Sequence, residues 1–210
     1  MADPDVYLLV EGKNDKHVIK NLCIQNQIPV PEIQTPGEAE GIEALLEGLE
    51  YRLNAQFLRT IGIVVDADDD LPARWQSVRG RLHAAGYLDV PRYPIAEGWI
   101  SSTPGLPRAG TWIMPDNQVS GMLEDFVTRL ISVDDNLRPK SEEVLSEIED
   151  AGLNRYRLVH HPKAFIHTWL AWQETPGMPM GQAITARALR HDSPLALDFV
   201  AWLRRLFEVA

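Results

Sequence analysis

An α/β fold is what this sequence predicts: a mainly parallel sheet flanked by helices, followed by a helical C-terminal extension. Three observations predict it. Short apolar runs at residues 6–10, 61–65 and 111–114 read as strands, and each precedes a stretch of helical periodicity. Beyond about residue 135 the strand signals fade and helical patterns continue alone. The 210 residues are 45% hydrophobic and 24% charged, an ordinary globular composition that supports one sizeable core with a helical appendage. The expected division is an α/β core over 5–131 and a helical extension over 135–210 packed on it.

Residues 6–10 (Val-Tyr-Leu-Leu-Val) stop at Glu11-Gly12, as a short strand buried on both faces does. Val18, Ile19, Leu22 and Ile28 then recur at helical spacing, until Pro29 and Pro31 end that helix. Cys23 lies within it. As the sole cysteine it excludes a disulfide framework and a multi-cysteine zinc site, and it is expected to be a buried, inert thiol. A weaker strand is expected over 30–35, placed near a sheet edge by Pro31. Residues 38–58 read as a long helix with Ile42, Leu45, Leu46, Leu49 and Leu53 on one face.

Residues 61–65 (Ile-Gly-Ile-Val-Val) are the clearest buried strand; Pro72 opens the next helix and Gly86 stops it. The Pro- and Gly-rich stretch 92–110 reads as a hairpin or an irregular excursion before the strand at 111–114 and a helix over 121–131. Helices are expected at 141–151, 162–174, 181–190 and 194–208, with a break at Pro176-Gly177. Trp99, Trp112, Trp169, Trp172 and Trp202 sit among apolar neighbours and are expected to fill core.

Charge narrows the function. With 20 basic and 30 acidic side chains the net charge is −10, which excludes a general electrostatic binder of nucleic acid or of anionic membrane. Bound divalent cations can invert such a potential locally. No apolar run approaches the ~20 residues that cross a bilayer. The start, Met1-Ala2-Asp3-Pro4, lacks the features of a secretory signal. The expectation is a soluble, cytoplasmic protein with no membrane partner.

In open parallel sheets, ligand sites form past the carboxyl ends of the strands. The acidic residues collect there. Glu11 follows the first strand; Asp66, Asp68, Asp69 and Asp70 follow the 61–65 strand; Asp116 follows the third, with Glu124 and Asp125 in the next helix's first turns. Carboxylates converging from three strand ends repel unless cations sit among them, and oxygen-rich sets suit Mg²⁺ or Mn²⁺. Asp66 and Asp68, at i and i+2, would point to one side of an extended segment. Each residue also has a plain structural reading. Asp15 could be a helix N-cap, Asp69 and Asp70 caps or turn residues, Asp116 a turn residue, and Glu124 part of a capping box from Ser120 or Gly121.

The order Val10-Glu11-Gly12-Lys13-Asn14-Asp15, then Val64-Val65-Asp66-Ala67-Asp68, resembles the topoisomerase–primase (Toprim) domain, whose signatures are a Glu-Gly turn and a later Asp-x-Asp. Gly121-Met122-Leu123-Glu124-Asp125 resembles the Leu-Glu element of its nuclease branch, typified by the overcoming-lysogenization-defect (OLD) proteins, and the whole chain is similar to small stand-alone Toprim-like proteins. The resemblance implies a Toprim-like, Rossmann-like core. It further implies Glu11 as metal ligand or general acid/base, Asp66 and Asp68 as paired ligands, Asp15 and Glu124 as additional ligands, and Mg²⁺ or Mn²⁺ as cofactor. That branch also uses a late lysine against transition-state charge, for which Lys163 is the candidate. OLD proteins carry an ATPase, so an ATPase or other protein partner is an expectation. A homodimer is kept as an expectation, with the oligomeric state otherwise open.

The expected activity is metal-dependent phosphodiester hydrolysis on DNA or RNA. Arg155, Arg157, His161 and Lys163, the most basic local stretch, are the candidates for guiding nucleic acid. The helix carrying Arg74, Arg79, Arg81 and His83 reads equally as a solvated face. No phosphate loop of the Gly-x-x-x-x-Gly-Lys-Ser/Thr type is present, and Ser101-Ser102 with six histidines form no triad or zinc spacing. The competing reading is a non-catalytic regulatory subunit that binds metal or nucleotide and leaves the chemistry to a partner.

Overall fold

A computed structural model describes residues 5–37, 41–101 and 103–208. The expected helix start at Glu38, the first four residues and Ser102 lie outside the described residues. Five strands form one sheet: β1 (Val6–Val10), β2 (Glu32–Gln34), β3 (Thr60–Asp66), β4 (Trp99–Ile100) and β5 (Arg108–Met114). Their order is β2-β1-β3-β5-β4, parallel throughout except for β4, which runs antiparallel on the edge. The helices are α1 (Lys13–Gln25), α2 (Ile42–Leu53), α3 (Leu71–Ala84), α4 (Leu123–Thr128), α5 (Leu137–Asp150), α6 (His161–Ala171), α7 (Met180–Thr185) and α8 (Pro194–Phe207). No helix among the described residues is long and apolar enough to cross a membrane.

Alternation along the strands builds two cores. Leu8, Val10, Val64, Trp112 and Met114 face one side and pack with α1, α4, α6, α7 and α8. Tyr7, Leu9, Ile61, Ile63, Val65 and Ile113 face the other and pack with α2 and α3. Burial on both faces explains why β1 and β3 read as unbroken apolar runs. The C-terminal helices thus form part of the cover of the sheet itself. Glycine makes that possible. A Cβ on Gly62 would stand 2.8 Å from Leu206 Cδ2, and one on Gly110 2.9 Å from Leu206 Cδ1, so two bare backbone patches let α8 lie on β3 and β5. Trp112, Phe199 and Trp202 fill the same seam, with ring centroids 5.2–5.9 Å apart.

α7 meets α1 through an equally close approach. A Cβ on Gly181 would meet the His17 carbonyl oxygen at 2.7 Å, and that partner is backbone within a helix. Gly181→Ala should therefore destabilise the fold by about 2 kcal/mol, because α7 must lift off α1. Urea denaturation checks this, and an unchanged midpoint would show that the two helices separate freely.

Several elements differ from expectation. The excursion at 92–110 holds the two-residue β4, and β5 starts at Arg108, ahead of residue 111. The helix expected over 121–131 is confined to Leu123–Thr128, because Gly121 (φ +144°) is held in an antiparallel bridge to Asp68. The helix expected over 181–190 stops at Thr185, where Arg187 takes a left-handed φ of +62°. Trp99, Trp112, Trp169 and Trp202 are buried, whereas Trp172, at the C-terminal end of α6, is 40% exposed. Cys23 is fully buried in α1, and burial pushes its thiol up to about 12, so it is unreactive near neutral pH.

Candidate functional site

The parallel register brings the carboxyl ends of β1 and β3 side by side, since Val10 pairs with Val64. Glu11 leaves β1 there, and Asp66 is the last residue of β3. Glu11 Oε1 accepts the Asp66 backbone N–H at 2.8 Å, which ties the two ends together. Asp66 Oδ1 in turn accepts the Leu123 N–H at 2.9 Å, at the first turn of α4. Asp15 sits in the first turn of α1 and Glu124 in the first turn of α4, and both are buried. Glu124 escapes the capping role open to it, because the neighbouring Asp125 Oδ2 takes the Met122 N–H at 2.9 Å.

These four carboxylates line one open cleft of about 490 Å³, with Gly12, Lys13, Asn14, Gly41 and Leu123 completing its walls. Lys163, from the first turn of α6, lines it as well, and its Nζ lies 3.4 Å from Glu124 Oε1. A cation delivered by the C-terminal helices therefore meets acids delivered by the strand ends. Of the basic stretch, Lys163 alone reaches the cleft. Arg155 and Arg157 are exposed on the segment before α6, and His161 Nδ1 is engaged by Glu149 Oε1 at 2.8 Å.

Asp68 is placed differently from the expectation. The side-by-side argument for Asp66 and Asp68 needs extended backbone, but β3 ends at Asp66 and Asp68 turns left-handed at φ +52°. Its backbone exchanges two 2.8 Å hydrogen bonds with Gly121, and its half-exposed carboxylate pairs with Arg74, outside the cleft lining. Arg74 is itself mostly covered, so its place on α3 is not part of a solvated face. Asp70 caps α3 by accepting the Ala73 N–H at 2.9 Å. Asp116 holds the Gln118 and Val119 N–H groups and pairs with Arg129 at 2.6 Å, as a turn residue does.

Burial, with crowding second, sets the electrostatics. Burial, then the Glu11 and Glu124 charges, push the Asp15 carboxyl up to about 7, against help from nearby backbone N–H groups. Asp66 is raised well above the ordinary carboxylate range, first by burial and then by Asp15, Glu11, Glu124 and Asp68. Glu11 is raised by burial too, although the Asp66 N–H and the Arg74 charge hold it down. Asp15 Oδ1 is buried with no hydrogen-bond partner. An orphaned anionic oxygen inside a set of carboxylates fits a hard, oxygen-seeking cation such as Mg²⁺ or Mn²⁺. In the present arrangement, no three His, Cys, Asp or Glu side chains among the described residues are gathered in ion-holding geometry. Glu11 Oε1 and Asp66 Oδ1 are instead turned to backbone N–H groups, and Glu124 Oε1 to Lys163.

The profile of one protein family matches residues 5–208, and its description is "Protein of unknown function (DUF3226)". The chain belongs to that family. No curated protein and no solved structure matches it.

Proposed function

We propose that this protein is a divalent-metal-dependent nuclease of Toprim type that hydrolyses phosphodiester bonds in DNA or RNA. One observation carries the reading: Glu11, Asp15, Asp66 and Glu124 converge from separate elements on one open cleft that Lys163 also enters. Structural capping does not need four acids lining one cleft, two of them buried. Glu11, Asp15, Asp66 and Glu124 would hold Mg²⁺ or Mn²⁺, and Asp68 would add charge from outside the lining. Such ions supply water activation and stabilisation of the charged oxygens during phosphoryl displacement. Lys163, at the rim, can follow a phosphate that enters the cleft and offset the charge gained at its equatorial oxygens.

The test is a cleavage time course on supercoiled plasmid, single-stranded DNA and structured RNA, each with Mg²⁺, Mn²⁺ or chelator. Cutting that requires the metal supports the reading. Intact substrates together with metal binding to the same carboxylates would move the assignment to a regulatory subunit that works with an ATPase or other partner. Lys163→Met is expected to lower kcat by roughly 10²- to 10³-fold, the scale of losing one donor to developing charge. Calorimetry should find Mg²⁺ bound at least as tightly by that variant, because a cation competing for Glu124 is gone. Unchanged kcat would remove Lys163 from the chemistry.

A further inference from the structure

A second cavity adjoins the cleft. His160, Lys163, Ala164 and His167 stand at i, i+3, i+4 and i+7, one stripe of α6 and the turn before it. The stripe on the other side, Phe165, Ile166, Trp169 and Leu170, is buried in the core. With Tyr156, the outward four line a cavity of about 310 Å³. His160, Lys163 and His167 are exposed there. Tyr156 is fixed in place: its hydroxyl donates to Glu149 Oε1 at 2.6 Å, and the same oxygen engages His161 Nδ1. Lys163 is the hinge of the arrangement, since it lines both this cavity and the carboxylate cleft.

A ligand spanning the two would place an anion at Lys163 and a flat, weakly polar group among a phenol ring and two imidazoles. A nucleotide unit has that form, a phosphate joined through a sugar to a base with π faces. Bases stacked and paired inside a duplex cannot enter a side cavity. We infer that the Tyr156, His160 and His167 cavity receives an unpaired nucleobase next to the phosphate held at Lys163. The substrate class is then single-stranded nucleic acid, or a strand with one base turned out of its stack. The inference rests on the nuclease reading of the cleft and adds the substrate to it.

Cleavage by the full chain with Mn²⁺ tests it on a single-stranded oligonucleotide, on that strand with one abasic residue moved through successive positions, and on the duplex. One abasic position beside the cut should lower kcat/KM by roughly 5- to 150-fold, the span that base stacking on an aromatic side chain carries. The duplex should be cut more slowly than the intact single strand. The double variant His160→Ala/His167→Ala, confined to exposed positions, should lose the distinction between intact and abasic strands. Tyr156→Phe should keep it and Tyr156→Leu weaken it. Equal rates at every abasic position, with cutting that Asp66→Asn removes, overturn the subsite and leave the nuclease reading standing. If nothing is cut, the nuclease reading falls and fluorescence anisotropy with the same strands in Mg²⁺ decides the subsite. Tighter binding of the intact strand, lost in the double variant, supports it; equal affinities overturn it.

Discussion

Asp66→Asn is expected to lower metal-dependent cleavage by about 10³-fold or more while raising the thermal stability of the metal-free protein. Both effects follow from one side chain. Asp66 ends β3 at the centre of the cluster, where Asp15, Glu11, Glu124 and Asp68 all raise its carboxyl. Burial first, and then four neighbouring acids, make an ionised carboxylate at this position costly to the fold, and a bound cation would offset that cost. Asparagine keeps an oxygen for the Leu123 N–H, now 2.9 Å from Asp66 Oδ1, so the junction of β3 and α4 survives. What it removes is the negative charge that a hard cation requires. Cleavage assays, a metal titration by calorimetry and a thermal melt in chelator, run side by side, read the three consequences. Full activity in the variant would take Asp66 out of the metal site. A lowered melting temperature in chelator would show that the charge is not strained in the native protein.

The stability half of that expectation separates a functional residue from a structural one. Gly181→Ala perturbs a contact whose sole evident role is to seat α7 on α1, and it should cost stability with no compensation. A carboxylate whose removal stabilises the metal-free fold would have a task other than holding that fold together.

Much of this site was legible in the sequence because strand ends are. The runs 6–10 and 61–65 are apolar on both faces, and their parallel pairing puts the acids that terminate them, Glu11 and Asp66, at the same carboxyl end of the sheet. Asp15 read as a cap ahead of a helix that in the structure already starts at Lys13, whereas Glu124 was legible as a first-turn residue of its helix. The division of labour between Glu124 and Asp125 was not, because either carboxylate could have reached back to the preceding N–H. Asp68 misled because the two-residue period holds in extended backbone, and whether the strand continues past Asp66 depends on the bridge to Gly121. That bridge is a tertiary contact with no local signal. The sequence likewise predicted a helix over 194–208 without saying where it docks; Gly62 and Gly110 decide that by leaving room for Leu206. The cavity beside Lys163 needed the same information, since its stripe of His160, Ala164 and His167 reads in isolation as an ordinary exposed face.

The metal-free protein should lose stability as pH rises from about 4 to about 8, and Mg²⁺ or Mn²⁺ should restore it at the upper end. The sign follows from proton counting. In the unfolded chain Asp15 releases its proton near its ordinary 3.8, whereas in the fold it holds it up to about 7. Between those values the native state binds more protons than the unfolded one, so raising pH favours unfolding. The contribution is complete below about pH 4 and is lost as pH climbs through 7; Asp66 and Glu11, also raised, act in the same direction. For Asp15 the difference is on the order of 2–4 kcal/mol, since one pKa unit is about 1.4 kcal/mol and the neighbouring acids share the effect. In a chain of this size that is roughly 5–15 °C in melting temperature. Asp15→Asn should flatten the profile, because its amide has no proton to lose. A cation at 100 times its dissociation constant should return about 2.7 kcal/mol at pH 8 and little at pH 4, where the acids are already protonated. A melting temperature that holds level from pH 5 to 8 in chelator, in both wild type and Asp15→Asn, would mean that neither burial nor mutual repulsion holds these carboxyls up. The case for cations among them would then lose its electrostatic ground.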